Sequence, residues 1–466
     1  MGISTKNLVV VGQGAAGLAA ALAAAQAGRG ADVRVTLVDK AAESEAGGNT
    51  RWSPSYMRMA SVDRVEPSFV HDMLAATQYR CDETYFATLA RHAPATCKWI
   101  AAQGVEFIQP TYYLAKGPPR IQPLGGGPAV VEQLVLAAKK ANVEFRYGCS
   151  ARGIVRDNGR ITGLEIAQDG IRQVLPTDAV ILCSGGFEGD GAKMREHFGD
   201  GAEVMRLISP GGKFNTGDGI TMAMALGASG SGDWSGMHAE PVDARSTNSA
   251  PVVLVYPYGI VVDKNGRRFF DEGGGLVHET WEWFARDMQF KTPGRMAFAI
   301  LDSRLLTIDG YERAIRSEVP PARADTLAEL AKLIGVDAEG LAATVAAYNA
   351  ACTGDAAKFD ATRCDGLKAA ATLAPPKSNW ARAISEPPFL AYPLVGAVAY
   401  TFGGLATDDS ARVLADGAPI PGLYAAGEIT GHFYVTAPNA VSVLRAFVFG
   451  RIAGLEAVSF LRASQG

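Results

Sequence analysis

The stretch Leu8-Val9-Val10-Val11-Gly12-Gln13-Gly14-Ala15-Ala16-Gly17 decides the fold of this chain. The four apolar residues that open it, three of them valine, predict a short strand buried on both faces. The following glycines have the spacing G-x-G-x-x-G. Gly12 permits a tight turn, Gly14 lets a phosphate approach the backbone, and Gly17 permits close packing of the next helix. We therefore expect a strand, a phosphate-binding turn and a helix in immediate succession.

The residues after this stretch complete a dinucleotide-binding unit. The alanine-rich segment 18–26 predicts a helix ending near Gly28, and its N-terminal N–H groups favour phosphate binding. A second strand, 33–38, ends at Asp39, whose carboxylate is suited to a ribose hydroxyl. An isolated G-x-G-x-x-G is weak evidence, because it also occurs as a glycine-rich turn without function, but these elements in this order indicate dinucleotide binding.

The composition narrows the class of protein. A chain of 466 residues is long enough for two domains. Its 44 basic and 48 acidic residues give a net charge of −4, which does not indicate binding to nucleic acid or to an anionic membrane. The cysteines are scattered without a C-x-x-C pair, and no apolar run has the length of a membrane span. No secretory leader precedes the first strand, so we expect a cytoplasmic protein with reduced thiols and no metal site.

Later segments predict a discontinuous α/β architecture. Short strands within 144–176 read as a small antiparallel meander, and 260–270 reads as a hairpin. The region 234–395 contains several proline pairs and helices, which indicates an inserted domain. Glycine-bounded strands then return, at 400–405 and 422–428. We expect a nucleotide-binding domain made of residues 1–233 and 396–466, interrupted by a capping domain of residues 234–395.

Further motifs resemble the fumarate reductase/succinate dehydrogenase flavoprotein superfamily over nearly the whole chain. They are Gly47-Gly48-Asn49-Thr50, Ser184-Gly185-Gly186-Phe187, Asn215-Thr216-Gly217-Asp218-Gly219, Arg268-Phe269-Phe270-Asp271-Glu272, Thr401-Phe402-Gly403-Gly404 and Leu423-Tyr424-Ala425-Ala426-Gly427-Glu428. A narrower group, the tricarballylate dehydrogenase-like flavoproteins, shares 232–238, 256–259 and 376–381. The resemblance implies a Rossmann-type, glutathione-reductase-like FAD-binding domain with an inserted α+β capping domain.

The same resemblance implies FAD as the cofactor. Glu428 is then the partner of the ribitol hydroxyls, and the turn at 440–444 offers N–H groups to the flavin N1 and O2 atoms. Family members with covalent flavin carry a histidine in the loop after the second strand. Residues 47–56 contain none, so we expect non-covalent FAD. The expected cofactor-binding residues are Gly12, Gly14, Ala15, Ala16, Gly17, Asp39, Lys40, Gly48, Asn49, Thr50, Ala151, Ser184, Gly185, Gly186, Asp218, Gly427, Glu428, Ser442 and Val443.

Departures from the superfamily pattern bear on the substrate. Fumarate reductases carry a proton-donor arginine, a histidine and a second arginine. The residues of this chain at the corresponding positions are Leu276, Ala399 and Ala437, respectively. Of the superfamily's carboxylate-binding and proton-transfer set, His238 remains. Because small dicarboxylates need bidentate arginine contacts, we do not expect fumarate reduction. The last loop reads Pro438-Asn439-Ala440 in place of the narrower group's Pro-Gly-Gly, which also favours a substrate other than tricarballylate.

These residues favour a dehydrogenase that introduces a C=C bond α,β to a carboxylate or ketone, in a tricarballylate-like or cyclic keto-acid substrate. A base removes the α-proton, donors stabilise the enolate, and flavin N5 accepts hydride from the β-carbon. Each candidate also has a structural alternative, such as core packing or a surface ion pair. The candidate catalytic residues are His238, Tyr400, Tyr258, Arg51, His278, Tyr113 and Arg445.

Two other functions stay open at this point. One is reduction of an activated alkene, and the other is a flavoprotein electron carrier without its own substrate. A flavin–disulfide reductase is disfavoured by the lack of a C-x₄-C motif, and NAD as the main cofactor by the lack of a second G-x-G-x-x-G unit. The expected partners are a small carboxylate or carbonyl substrate and an electron acceptor, which is a quinone, oxygen or an iron–sulfur protein.

Overall fold

A computed structural model describes residues 5–29, 33–114 and 116–464. Their helices are α1 Ala15–Ala27, α2 Phe69–Ala76, α3 Glu83–Ala101, α4 Gly126–Lys140, α5 Gly191–Phe198, α6 Asp218–Met224, α7 Val277–Lys291, α8 Leu327–Ile334, α9 Ala338–Ala351 and α10 Ser442–Ala463. Across these described segments, no helix combines the length and the apolar character that a bilayer crossing requires.

The strands of the described residues follow the same chain order. They are β1 Lys6–Val11, β2 Val33–Val38, β3 Phe107–Ile108, β4 Gln122–Pro123, β5 Glu144–Arg146, β6 Cys149–Asp157, β7 Arg160–Gln168, β8 Ile171–Pro176, β9 Ala179–Leu182, β10 Arg206–Leu207, β11 Gly230–Ser231, β12 Met237–Asp243, β13 Ile260–Val262, β14 Met296–Leu301, β15 Ala322–Ala324, β16 Phe389–Thr401, β17 Gly404–Leu405, β18 Arg412–Ala415 and β19 Ala418–Ala425.

A six-stranded sheet in the order β18-β19-β9-β1-β2-β5 carries the predicted glycine motif. β1 lies between β2 and β9, parallel to both, and its valines are buried on either face, as predicted. The assignment of 144–147 to the meander was wrong, because β5 pairs in parallel with β2. Three alternating residues do not reveal which neighbour a strand will take. The meander consists of β6, β7 and β8 alone.

Helices α1 and α10 cover one face of this sheet at close range. A Cβ atom on Gly450 would lie 2.3 Å from the carbonyl oxygen of Ala16, and one on Gly454 would lie 2.3 Å from that of Ala20. Small residues on both helices therefore let their backbones approach. This contact ties the C-terminal helix to the helix that follows the glycine motif.

A second sheet is built around β16, which spans thirteen residues. Strand β14 pairs with β16 and with β13, while β12, β15 and β10 also pair with β16. The predicted 260–270 hairpin is reduced to one bridge between Val262 and Arg268, because β13 pairs with β14 instead. Residues 400–401 end β16 and do not join the six-stranded sheet. Because the expected boundary at 395/396 falls inside this strand, we propose that the capping domain extends to Thr401.

Candidate active site

The glycine motif forms one wall of a long cleft. Gly12 has a φ of +101°, and a Cβ there would lie 2.4 Å from the carbonyl oxygen of Cys183. A Cβ on Gly17 would lie 1.8 Å from the carbonyl oxygen of Gly12, so α1 can pack here only without a side chain. The backbone N–H of Ala15 donates to the Thr50 hydroxyl at 3.1 Å. The positive end of α1 therefore faces the cleft, where it can bind an anion.

Asp39 stands at the end of β2 beside this helix terminus. Its carboxylate accepts the backbone N–H of Gln13 at 2.7 Å and that of Ala41 at 2.8 Å. Burial raises the pKa of Asp39, although these two hydrogen bonds act against the shift. Next to it, Lys40 forms an ion pair with Asp218 at 2.8 Å. Asp218 therefore pairs with Lys40 on the cleft wall, and Gly217 takes the N-cap position of α6.

A buried carboxyl pair lies further along the cleft. One oxygen of Glu428 accepts the backbone N–H of Thr401 at 3.1 Å. Oε1 of Glu188 accepts the side-chain amides of Asn215 at 2.6 Å and Asn49 at 2.9 Å. Burial and the neighbouring Glu428 carboxyl raise the pKa of Glu188 well above its usual range. Within this pair, burial and the Glu428 charge therefore favour the neutral form of Glu188.

The structure brings most of the expected cofactor-binding residues to this cleft. Every member lines it except Gly17 and Gly186. Gly17 packs behind the glycine turn, and a Cβ on Gly186 would lie 2.2 Å from Glu428. Two buried acceptors, the side-chain oxygens of Gln13 and Asn439, have no partner among the described residues. A helix terminus, an acidic residue after the second strand and unpartnered polar atoms along one cleft fit FAD. Helix α10 begins at Ser442 on the same cleft, and its N-terminal N–H groups would be available to the flavin.

His238 and Tyr400 come together at the other end of the cleft. They are directly opposite each other on β12 and β16, and their rings stack with centroids 4.9 Å apart. His238 Nδ1 lies 2.7 Å from Glu282 and Nε2 lies 3.3 Å from Glu240. Burial alone would lower the pKa of His238, but the two glutamates raise it to about 9. Each imidazole nitrogen therefore faces a carboxylate, and the ring carries a positive charge at neutral pH.

Tyr400 lines the cleft as a neutral hydroxyl donor. Burial and, to a smaller extent, the negative charge of Glu282 raise the pKa of Tyr400 far above the ordinary tyrosine value. Glu240 lines the same wall and is the carboxylate that His238 holds towards the cavity. The wall thus combines a hydrogen-bond donor with a proton acceptor. These two groups are what removal of a proton next to a carbonyl requires.

Arg120 and Arg316 lie on the capping side of the same cavity. The Arg120 guanidinium is sandwiched between the rings of Tyr56 and Tyr112, at 3.8 and 4.0 Å from their centroids. Arg316 lies 3.0 Å from the Tyr56 hydroxyl and 3.5 Å from that of Tyr113. Tyr113 is buried, and desolvation raises its pKa to about 12. We define these five residues as the arginine box.

Two further catalytic candidates, His278 and Arg445, line this cavity. His278 lines the cavity, and burial followed by the charges of Arg120 and Arg58 lowers its pKa to about 4. Arg445 also lines the cavity, where it donates to the Thr430 carbonyl at 3.2 Å and lies over the Phe433 ring. We therefore propose that Arg445 is a structural residue of the flavin end.

Tyr258 and Arg51 lie outside the cavity lining. The Tyr258 hydroxyl donates to the Ala361 carbonyl, and Arg51 donates to the Ala46 carbonyl. Their expected catalytic roles are therefore not supported by this geometry.

Several cavity residues had no signal in the sequence. Glu240 and Trp281 line the cavity next to His238, and Glu282 contacts His238 from outside the lining. The Trp281 ring centroid lies 6.1 Å from those of His238 and Tyr113. Tyr56 and Arg316 belong to no motif. The tyrosine-rich segment 109–128 was the available hint, since its composition is typical of a loop near a site.

Together the cleft and the cavity define a flavin-dependent oxidoreductase. Residues 7–440 match the family described as FAD binding domain, and the chain belongs to this family. It is 28% identical to fumarate reductase (cytochrome) of Shewanella frigidimarina over 479 residues, covering 98% of this chain and 77% of that protein. It is 30% identical to 4-oxocyclohexanecarboxylate 2-dehydrogenase of Sinomonas cyclohexanicum over 344 residues, covering 68% of this chain and 58% of that protein.

Solved structures show the same architecture. The open conformation of a flavocytochrome c3 fumarate reductase matches with a TM-score of 0.77 and 26% identity, over 98% of this chain and 78% of that one. A 3-ketosteroid Δ1-dehydrogenase from Sterolibacterium denitrificans matches with a TM-score of 0.75 and 21% identity, over 98% and 100%, which is a likeness of fold alone. The protein is an FAD-dependent oxidoreductase acting on CH–CH groups.

Proposed function

We propose that this protein is an FAD-dependent dehydrogenase that introduces a C=C bond next to a ketone or carboxylate carbonyl in a small keto acid. The observation that carries this proposal is the shared wall of Tyr400 and Glu240. A hydroxyl that stays protonated stands there beside a carboxylate. The relative that acts as a 4-oxocyclohexanecarboxylate 2-dehydrogenase supports the same direction and substrate class.

The residues of this wall divide the work on the substrate. Tyr400 donates a hydrogen bond to the carbonyl oxygen and stabilises the negative charge that develops there. Glu240 accepts the proton as the α C–H bond breaks, and His238 holds the Glu240 carboxylate in place through its Nε2 atom. When bound, FAD supplies the two-electron acceptor for the hydride of the β-carbon, which leaves the C=C bond in the product.

A steady-state assay with an artificial electron acceptor tests this function. We expect the FAD-loaded protein to convert 4-oxocyclohexanecarboxylate into a product lighter by two hydrogen atoms, as identified by mass spectrometry. Glu240→Gln should lower kcat by roughly 100- to 10,000-fold, the usual contribution of a general base. Glu196→Gln, an exposed change of the same chemistry, is the matched control. Full activity of Glu240→Gln would exclude Glu240 as the proton acceptor.

The reverse reaction, reduction of an activated alkene, is the second candidate. The proton that His238 retains up to a pKa of about 9 favours it, because the His238–Glu240 pair can then deliver an acid proton. Named relatives include fumarate reductases. In this chain, however, Ala399 and Ala437 line the cavity at the positions where the sequence comparison with fumarate reductases aligned a histidine and an arginine.

A further inference from the structure

Arg120 is a buried cation without an anionic partner. The side chain belongs to a residue that is only 3% exposed, and it forms no ion pair with any described residue. Its Nε and Nη2 atoms have no hydrogen-bond partner within the described segments. The neighbouring Arg58 shows the usual solution, since it pairs with Asp72 at 2.7 Å. A buried charge without such a partner destabilises the folded protein, so an unpaired Arg120 indicates a role in binding a ligand.

The surroundings of Arg120 leave one direction open to a ligand. Tyr56 and Tyr112 cover the two faces of the guanidinium, so only its N–H edge is left for hydrogen bonding. The side chain lines the main cavity. A planar guanidinium with its faces covered binds a carboxylate in the plane of its fork, which fixes orientation as well as charge.

Arg316 adds a second positive charge at the same place. Its guanidinium is held by the hydroxyls of Tyr56 and Tyr113, and no carboxylate of the described residues lies within ion-pair distance. His278 beside the box is neutral at neutral pH, since burial and the nearby arginines lower its pKa to about 4. Among the described residues the box therefore has two positive charges and no carboxylate within ion-pair distance, and the charge of Glu240 acts on Arg316 from further away.

Trp281 contacts both the arginine box and a residue of the reacting wall. Its ring centroid lies 6.1 Å from that of Tyr113 in the box and 6.1 Å from that of His238. Glu240 of the wall is among the groups that raise the pKa of Arg316 against the effect of burial. A ligand in this cavity can therefore reach the box with one group and Tyr400 with another.

We propose that the arginine box binds a carboxylate of the substrate while Tyr400 contacts its ketone. The substrate class is then a keto acid whose acid group pairs with Arg120 and Arg316 at the other side of the same cavity from the ketone. This inference rests on the proposed function for its identification of the cavity as the substrate site. It goes further by assigning the anion-binding residues and the arrangement of the substrate.

Equilibrium binding without turnover tests the box. The FAD-loaded protein is titrated with cyclohexanecarboxylate and with cyclohexanecarboxamide, its neutral counterpart, and binding is followed by the flavin absorbance spectrum and by thermal unfolding. We expect the acid to bind and the amide to bind at least 10-fold more weakly. Arg120→Met should weaken binding of the acid roughly 10- to 100-fold, the value of one or two charge-assisted hydrogen bonds. Arg64→Met, the same substitution at an exposed arginine, is the control.

A merely structural Arg120 would give a different result. Because no carboxylate of the described residues lies within ion-pair distance of the box, Arg120→Met should unfold at the same or a higher temperature than the parent while losing the stabilisation by the acid. A lower unfolding temperature with unchanged affinity for the acid would overturn the proposal, and so would equal binding of acid and amide. If Arg120→Met does not fold, Arg120→Lys provides the test, since it keeps the charge but loses the fork and should bind about 10-fold more weakly.

The two proposals fail in distinguishable ways. If binding of the acid depends on Arg120 but no substrate is oxidised in the steady-state assay, the carboxylate-binding role of the box is supported and the dehydrogenase function is contradicted. Oxidation of a keto acid with the same KM in Arg120→Met leaves the dehydrogenase in place and removes the box.

Discussion

Replacing Glu282 by glutamine probes the charge on His238. Glu282 lies 2.7 Å from His238 Nδ1, and its side chain is 5% exposed. Together with Glu240 it raises the pKa of His238 from 6.5 to about 9, against the effect of burial. A shift of this size corresponds to about 3 kcal/mol of folding free energy. Both carboxylates contribute to the shift, so Glu282→Gln should remove roughly half of this stabilisation, on the order of 1–2 kcal/mol.

The pH dependence gives this prediction its sign. A histidine with a raised pKa contributes its full stabilisation below the pKa of the unfolded chain and loses it as the pH rises through the folded value. The difference in unfolding free energy between parent and Glu282→Gln should therefore be largest near pH 6 and shrink between about pH 6.5 and 9. The buried Lys377, whose pKa desolvation lowers to about 8, is common to both proteins and cancels in the difference.

Urea unfolding of both proteins at intervals from about pH 6 to pH 10 measures this difference. The exposed Glu132→Gln is the control and should follow the parent at every pH. A difference that stays constant across the range would show that Glu282 packs against His238 without stabilising its charge. A difference that grows with pH would refute the assignment of an imidazolium to His238.

Further predictions concern the cofactor end. Gly17→Ala should lower the unfolding free energy by about 3 kcal/mol, because the added Cβ would lie 1.8 Å from a carbonyl oxygen. Gly14→Ala should have the stability of the parent but bind FAD more weakly, because the nearest atom to its Cβ is 3.9 Å away. Equal stability of the two variants in urea would contradict this. Glu188→Gln should keep FAD at neutral pH, because burial and Glu428 favour the neutral form of Glu188 and glutamine resembles that form. Glu188→Ala should lower the unfolding free energy by about 1–3 kcal/mol, because two amides lose their acceptor. Loss of flavin from the glutamine variant would contradict the first of these expectations. Acid precipitation should release all flavin into the supernatant, and flavin that stays with the protein would disprove non-covalent binding.

The residues of the nucleotide end of the cleft could be proposed from the sequence because the structural constraints there are local in sequence. The turn at Gly12 and the close contact at Gly17 admit no other residue, so the structural constraint shows directly as a motif. The same holds for Asp39, which follows its strand and binds the backbone of the turn. Local geometry of this kind leaves a pattern that can be read without coordinates.

The substrate cavity was predicted less well because its residues meet only in the folded chain. Tyr56, Arg120 and Arg316 come from three distant segments, and no spacing relates them. Proximity to a motif suggested catalytic roles for Arg51 and Tyr258 that the geometry does not support. Both side chains donate their hydrogen bonds to backbone carbonyl groups of the protein. The composition of the loop around Arg120 indicated that it lies near a site. It did not indicate that Arg120 and Arg316 lie close together in the folded chain.

Anaerobic mixing of the FAD-loaded protein with 4-oxocyclohexanecarboxylate in a stopped-flow spectrometer tests the central claim most directly. The account predicts that the absorbance of oxidised flavin is lost in the parent and that the loss is strongly slowed in Glu240→Gln. It would be contradicted if the flavin stayed oxidised with this and related keto acids, while chemically reduced protein was rapidly reoxidised by an unsaturated acid.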